Sequence, residues 1–247
     1  MRPKTFPKGI HPPGNKRRTD SLPVEALPLP AKVVVPLSQN IGAPAKPLVS
    51  VGDQVLVGQE IAESQGMVSV PLHATISGKV TAIEPRPHPS GKMIPAIVIE
   101  ADGLDSSTKS FTTSERRLET IPAAEIREMM RQAGLVGMGG AAFPTHVKYS
   151  PPEGKKIDLV ILNGAECEPY LTCDHRLMLE RTDDLIYGLQ AMMKAAGAQK
   201  GYIAVEMNKP DAIRMLSTAV QGLPIEVVPL KVKYPQGEEK LVIKAVT

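Results

Sequence analysis

Gly134-Leu-Val-Gly137-Met-Gly139-Gly140-Ala-Ala-Phe143-Pro-Thr-His-Val-Lys148 is the stretch on which the reading of this chain turns. Each of its four glycines gives up roughly 0.5–1 kcal/mol relative to alanine inside regular structure, so the segment is not built for stability. Something must come close to its main chain. A loop without side chains lets backbone N–H groups surround an anion or lie along a flat ring, and Lys148 follows as a point charge suited to phosphate. Gly137-Met-Gly139-Gly-Ala-Ala142 even fits the dinucleotide pattern G-x-G-x-x-G/A, but that pattern requires a preceding strand. Residues Thr120 to Gly134 read as a helix instead. Thr120 is a capping residue, Pro122 falls near the first turn, Ile126, Met129, Met130 and Ala133 recur at helical spacing, and Gly134 is a natural stop. The junction is therefore helix to glycine loop.

Beyond the loop, strands and helices alternate. Ile157–Leu162 reads as a buried strand, Asp183–Ala198 as a helix with Leu185, Ile186, Leu189, Met192 and Met193 on its apolar face, and Gly201–Val205 as the next strand. Pro210–Gln221 follows as helix stopped by Gly222, then Ile225–Val228 as strand and Glu238–Val246 as helix. This alternation implies a parallel sheet with helices on its faces. In such sheets ligands bind beyond the carboxyl ends of the strands. Asn163–Glu168 and Tyr234–Glu239 both follow strands, so they are expected to converge with the glycine loop.

Upstream, residues 32–100 show short apolar runs broken by turns: Lys32–Val35, Val55–Val57, Glu60–Ala62, Met67–Val70, Ala74–Ile76, Lys79–Ile83 and Ile94–Ile99. The spacing indicates a small all-β module. Val51-Gly-Asp-Gln-Val-Leu-Val-Gly-Gln-Glu-Ile61 followed by Pro71-Leu-His-Ala-Thr-Ile-Ser-Gly-Lys-Val80 resembles a biotinyl or lipoyl carrier domain, a barrel-sandwich of two similar halves. Its expected tip, Ser64-Gln-Gly-Met-Val68, has no lysine to carry a group. The expected organisation is an extended basic proline-rich arm over residues 1–30, the barrel-sandwich over 31–100, a polar linker over 101–118 and a parallel α/β domain over 119–247.

The chain has 247 residues with 42% hydrophobic content, enough for one large or two modest cores. No apolar run approaches the roughly 20 residues of a membrane-spanning helix, and no apolar signal region follows the first residues. Ten of the 24 prolines fall within the first 50 residues, so the arm is expected to wrap rather than pack. Its six Lys/Arg against two acidic residues exceed the whole chain's net charge of +3, which suits either a solvated tail or docking on acidic partners or lipid. Phe6 is its single aromatic, which disfavours nucleic acid. The five histidines lack ligand spacing, and Cys167 and Cys173 form no zinc, iron–sulfur or disulfide pattern.

Three motifs in order carry a resemblance. Gly137-x-Gly-Gly-Ala-x-Phe-Pro-Thr-x-x-Lys148, Asn163-Gly-Ala-Glu-Cys-Glu-Pro169 and Tyr234-Pro-Gln-Gly-Glu-Glu239 resemble the FMN-carrying, NADH-oxidising subunit of respiratory complex I. Ala165, Cys167 and Lys240 depart from that subunit, which has aspartate, serine and threonine there. The RnfC family is the closer resemblance. It rests on Phe6-Pro-Lys-Gly-Ile-His-Pro-Pro-Gly-Asn-Lys16 and on Asn163 through Arg176, and it covers essentially the whole chain.

The resemblance implies a Rossmann-like parallel α/β domain that binds FMN and NAD(H) as part of an ion-translocating Rnf complex. Gly137, Gly139 and Gly140 would approach the FMN phosphate or ring, Lys148 would pair with that phosphate, and Asn163 and Glu166 would meet the flavin or its ribityl chain. Tyr234, Gly237, Glu238 and Glu239 would close the other side. Phe143 would stack on the nicotinamide or adenine, and Glu168 would hold the nucleotide's ribose hydroxyls. No side chain need be an acid or base, because the cofactor carries the chemistry. Implied partners are other Rnf membrane subunits and a ferredoxin-type subunit, at the cytoplasmic face of the membrane and peripheral to it. The family's 4Fe-4S clusters are expected outside this chain, whose last helix has no stop signal. Two other readings are a cobalamin reductase-type flavoprotein subunit and a docking subunit that has lost its flavin.

Overall fold

The computed structural model describes residues 2–108, 117–138 and 140–247. They form two compact units, one of Met1–Ala26 with Glu153–Thr247 and one of Leu27–Pro152. Residues 119–152, expected at the head of the α/β domain, thus cluster with the β module, and the arm clusters with the α/β sheet.

The Leu27–Pro152 unit is built on two antiparallel sheets. One has the order β1-β7-β6-β3, with β1 (Lys32–Pro36), β7 (Met93–Ala101), β6 (Gly78–Pro87) and β3 (Gln54–Val55). The other has the order β2-β4-β5, with β2 (Lys46–Pro47), β4 (Glu60–Glu63) and β5 (Leu72–His73). Alternate residues of both sheets meet in one aliphatic cluster that includes Val35, Val55, Ile61, Leu72, Ile76, Val80, Ile97 and Ile99. Fully burying each of the larger side chains contributes about 1.5–3 kcal/mol. This is the barrel-sandwich expected from the turn spacing, with two corrections. Met67–Val70 and Ala74–Ile76 are not strands but loop, and their apolar residues Val70, Ala74 and Ile76 are buried from irregular backbone.

Helix α1 (Ala123–Gln132) and the four-residue α2 (Thr145–Lys148) bracket the glycine loop in this unit. Thr120 does not cap α1. It lies in a preceding 3-10 turn, its hydroxyl bonded to the Arg117 carbonyl, and Pro122 holds the N-cap position without a side-chain bond. Ile126 and Met130 face inward, whereas Met129, expected in the core, is 45% exposed. Gly134 ends the helix at φ +66°, and a Cβ there would come within 2.6 Å of the Pro71 carbonyl oxygen. Both conformation and space require glycine at that position.

The other unit is a parallel sheet of order β10-β9-β8, formed by β8 (Leu159–Gly164), β9 (Lys200–Glu206) and β10 (Ile225–Leu230). Its register runs from Leu159 opposite Lys200 and from Ile225 opposite Gly201. Central β9 is buried on both faces, which accounts for its unbroken Ile203-Ala-Val205 run. Helices α3 (Cys173–Glu180), α4 (Thr182–Ala196), α5 (Pro210–Ala219) and α6 (Glu239–Val246) complete the unit. Ala204 and Tyr202 pack with Val242, Ala245 and Val246 of α6. The alternate face receives α4, where a Cβ on Gly201 would strike Met193 Sδ at 2.7 Å.

The arm packs as well as wraps. Lys4 joins the edge of the parallel sheet beside β10, donating its N–H to the Pro229 carbonyl and accepting from Lys231 N–H, both at 2.9 Å. Phe6 is buried, and Ile10 pairs antiparallel with Tyr234. The proline-rich composition conceals this because single bridges leave no period to read.

Candidate functional site

Residues Gly137–Pro144 form a closed loop. Gly137 N–H donates to the Phe143 carbonyl at 2.9 Å, Thr145 N–H to Leu135 at 2.9 Å, and Ile41 N–H to Ala141 at 3.1 Å. Ala142 sits in left-handed backbone at φ +51°. Among the described residues, none places an atom within 4 Å of where a Cβ on Gly140 would stand, and at Gly137 the nearest is the Phe143 oxygen at 3.8 Å. Neither takes a left-handed φ. The fold itself does not require glycine at either position, in contrast to Gly134. Gly139 lies outside the described residues. Lys148 ends α2 exposed, with no ion-pair partner among the described residues, and Phe143 is 41% exposed. His146 is tied down by its Nε2 contact to the Met67 carbonyl at 3.1 Å.

On the other unit the two expected loops meet at the carboxyl end of the sheet. Asn163, the penultimate residue of β8, donates from Nδ2 to the Gly237 carbonyl at 2.8 Å and accepts from Ala165 N–H at 3.2 Å. Gly237 N–H in turn donates to Cys167 Sγ at 3.3 Å. A Cβ on Gly237 would stand 2.7 Å from the Ala165 carbonyl oxygen, so this glycine is required by close approach of two main chains. Tyr234, in a cis peptide with Pro235, is 37% exposed. Glu238 caps α6, accepting from Leu241 N–H at 2.9 Å, while Glu239 lies exposed in the first turn. Glu168 is exposed.

Glu166 points the other way. Its carboxylate is buried, and Oε1 accepts from Asp174 N–H at 2.8 Å, which caps α3 from eight residues upstream. Oε2 stands 3.7 Å from Lys16 Nζ and 4.0 Å from Lys209 Nζ. Lys209 also pairs with Glu206 at 3.3 Å, and both are buried. Burial pushes Glu206 up and Lys209 down from their ordinary values, partly opposed by their mutual attraction. Among the described residues, Glu166 Oε2, Glu206 Oε1 and the buried Gln236 Nε2 each lack a hydrogen-bond partner. Glu166, Cys173 and Asp174 bring their ligand atoms within 4.8 Å of one another, a spacing a metal ion could bridge. Two ammonium groups on the same carboxylate make that a poor place for a cation.

Sequence reasoning missed Lys16, Glu206, Lys209 and Gln236. The one available signal was Glu206 and Lys209 three apart at a strand end. Nor was α3 expected, whose buried His175 bonds Asp211 of α5 at 2.9 Å. Cys167 and Cys173 are both free, and burial raises both thiols above their ordinary value. Neither is an activated nucleophile.

Residues 4–104 match the RnfC barrel sandwich hybrid domain, and residues 130–247 match the Nuo51 FMN-binding domain. Over 247 residues the chain is 49% identical to the C component of the Na(+)-translocating ferredoxin:NAD(+) oxidoreductase complex of Acetobacterium woodii, covering 98% of this chain and 55% of that protein. Identity is 47% to the proton-translocating counterpart of Clostridium ljungdahlii, covering 99% and 53%. For the C component of the ion-translocating oxidoreductase complex of Pseudomonas aeruginosa it is 42%, covering 98% and 31%. The chain spans about half the length, or less, of these curated relatives.

Proposed function

The chain belongs to the RnfC family, and from that premise we propose that it is the FMN- and NAD(H)-binding part of an ion-translocating ferredoxin:NAD oxidoreductase complex. The observation that carries the reading is the glycine loop. Among the described residues a Cβ would meet nothing at Gly140 and only an ordinary contact at Gly137, and neither has a left-handed φ, so the fold leaves room there for a ligand to approach the main chain. The family match to an FMN-binding domain names that ligand.

FMN, when bound, accepts hydride from nicotinamide and passes electrons on singly. The chain's residues bind and orient. Gly137, Gly139, Gly140 and Lys148 are assigned to the phosphate-bearing end of the cofactor. Asn163, Glu166, Tyr234, Gly237, Glu238 and Glu239 are assigned to the remainder, Glu166 acting through the α3 cap rather than by direct contact. Phe143 and Glu168 are assigned to the nicotinamide nucleotide, and the carboxylate of Glu168 disfavours a 2′-phosphate. The division into arm, barrel-sandwich, linker and flavin domain belongs to the same proposal. So do electron exchange with iron–sulfur clusters outside this chain, association with other Rnf subunits and a ferredoxin-type subunit, and a peripheral place on the cytoplasmic face of the membrane. Among the described residues no helix is long and apolar enough to cross a membrane. The relatives' names favour neither the cobalamin reductase nor the docking-subunit reading.

The test is the absorbance spectrum of the purified chain after excess FMN and desalting, followed by anaerobic NADH. A retained flavin band that bleaches with NADH is expected. A chain that retains no flavin overturns the proposal, and retention without bleaching removes its nicotinamide half.

A further inference from the structure

The segment from Ala165 to Thr172, between β8 and α3, is tied through its side chains to Asp174, Lys209 and Gly237 and through its main chain to the arm. Among the described residues, the one main-chain hydrogen bond that residues 166–171 make to other main chain runs from Tyr170 N–H to the Gly14 carbonyl, at 2.7 Å. Tyr170 itself is in left-handed backbone at φ +70°, a conformation a tyrosine keeps only where its surroundings impose it. On the arm side the chain turns at Asn15, also left-handed at φ +51°, and delivers Lys16 into the segment.

The Lys16 ammonium makes two hydrogen bonds and one ion pair there. Nζ donates to the Glu168 carbonyl at 2.9 Å and to the Leu171 carbonyl at 2.5 Å, and it faces Glu166 Oε2 at 3.7 Å. Its side chain is 14% exposed. The neighbouring Arg17 and Arg18 are exposed. Further along, Thr19 Oγ1 meets Thr172 Oγ1 at 2.7 Å, and Arg176 donates to the Asp20 carbonyl at 3.3 Å.

We propose that Lys16 is a positioning residue for the nicotinamide nucleotide: its ammonium clamps the carbonyls of Glu168 and Leu171 and so fixes where the exposed Glu168 carboxylate is presented. The arm's basic character at this position thereby serves an internal clamp rather than a docking tail. Glu168 carries the contact and Lys16 acts through it. This rests on the assignment of Glu168 to the nucleotide.

Flavin reduction by NADH is compared in the full chain carrying Lys16→Met, Lys16→Arg or the pair Arg17→Gln and Arg18→Gln. Loss of a charge-assisted anchor predicts a KM for NADH raised about tenfold in Lys16→Met, with the rate at saturating NADH within about twofold of the parent. Lys16→Arg recovers most of the shift, and the arginine pair changes neither value. A KM unchanged in Lys16→Met overturns the proposal, as does a KM raised equally by the arginine pair. A second measurement uses the cofactor-free chain with Lys16→Gln, which keeps the arm's length and removes the charge. Hydrogen exchange of the Tyr170 amide, which donates to the Gly14 carbonyl of the arm, is expected to quicken about tenfold while the β9 amides hold. Unchanged exchange overturns the clamp even if the chain proves not to bind flavin, so the two readings fail separately.

Discussion

The two units bury opposite kinds of interior. The barrel-sandwich is closed by an all-aliphatic cluster, from Val35 and Ile61 through Ile97 and Ile99. The parallel unit has an apolar core too, but beyond the ends of β8 and β9 it buries Glu166, Glu206, Lys209 and Gln236, three of them with an unpartnered polar atom. An aliphatic core gains stability from every atom in it, whereas a buried ionic cluster contributes little net when complete and is costly when broken. A protein keeps the second kind where orientation matters. Here the cluster lies under the segment that carries Asn163, Glu166 and Glu168.

Removing one member of the ionic cluster has the largest expected effect. Lys209→Met leaves the buried Glu206 without its ion-pair partner, while Glu166 keeps Lys16, and costs about 4 kcal/mol at pH 7, exceeding the roughly 3 kcal/mol cavity cost of Ile97→Ala in the sandwich. Urea unfolding of both variants measures this, and equal or reversed costs would break the contrast. The pH dependence sharpens it. Burial already raises Glu206 above the ordinary 4.5, and loss of Lys209 raises it further. A raised group stabilises the fold below its unfolded value and loses that stability as pH rises through its folded value. The Lys209→Met deficit therefore shrinks as pH falls toward 4.5.

Next come the glycines. Gly237→Ala drives a methyl against the Ala165 carbonyl and costs about 2 kcal/mol. Gly140→Ala stays within about 0.5 kcal/mol of the parent in stability but weakens FMN retention by about tenfold or more. Thermal melts beside flavin titrations separate the two, and a Gly140→Ala chain that binds FMN normally would remove the loop's claim to the ligand.

Smallest is Glu128 in α1, which the hydrogen bond from Arg131 holds down at about 2. Its contribution is present above the ordinary 4.5 and is lost as pH falls from there toward 2. Because both side chains are more than a third exposed, Glu128→Gln costs only about 0.5 kcal/mol at pH 7 and nothing near pH 2, as urea midpoints across that range will show.

Much of the α/β unit was legible. Helices α4 and α5 announce themselves by apolar spacing and α5 by Gly222 after its end, whereas the helix expected to reach Ala198 stops at Ala196, capped by the left-handed Gly197. Strand β9 is a continuous apolar run because both of its faces are covered. The barrel-sandwich was legible as a class but not strand by strand. Three of its strands have two residues each, too short for alternation to register, and its core also draws on Ala74 and Ile76 from loops. Helix α3 escaped notice because its cap is Glu166, a residue of the preceding loop rather than its N-cap.

Local order along the chain determined where glycines cluster, where helices stop, that one half is all-β and the other alternates, and which three motifs share a kinship. Spacing and dihedral preference act between near neighbours, so a linear reading captures them. Only the tertiary structure decided which glycines the fold needs and which it leaves open, because that depends on atoms such as the Ala165 and Pro71 carbonyls that lie far away in sequence. It alone turned Glu166 inward and brought Lys16 to it from the far end of the chain. A charge pair is specified by distance in space and by the removal of water, and neither is written in the order of the residues.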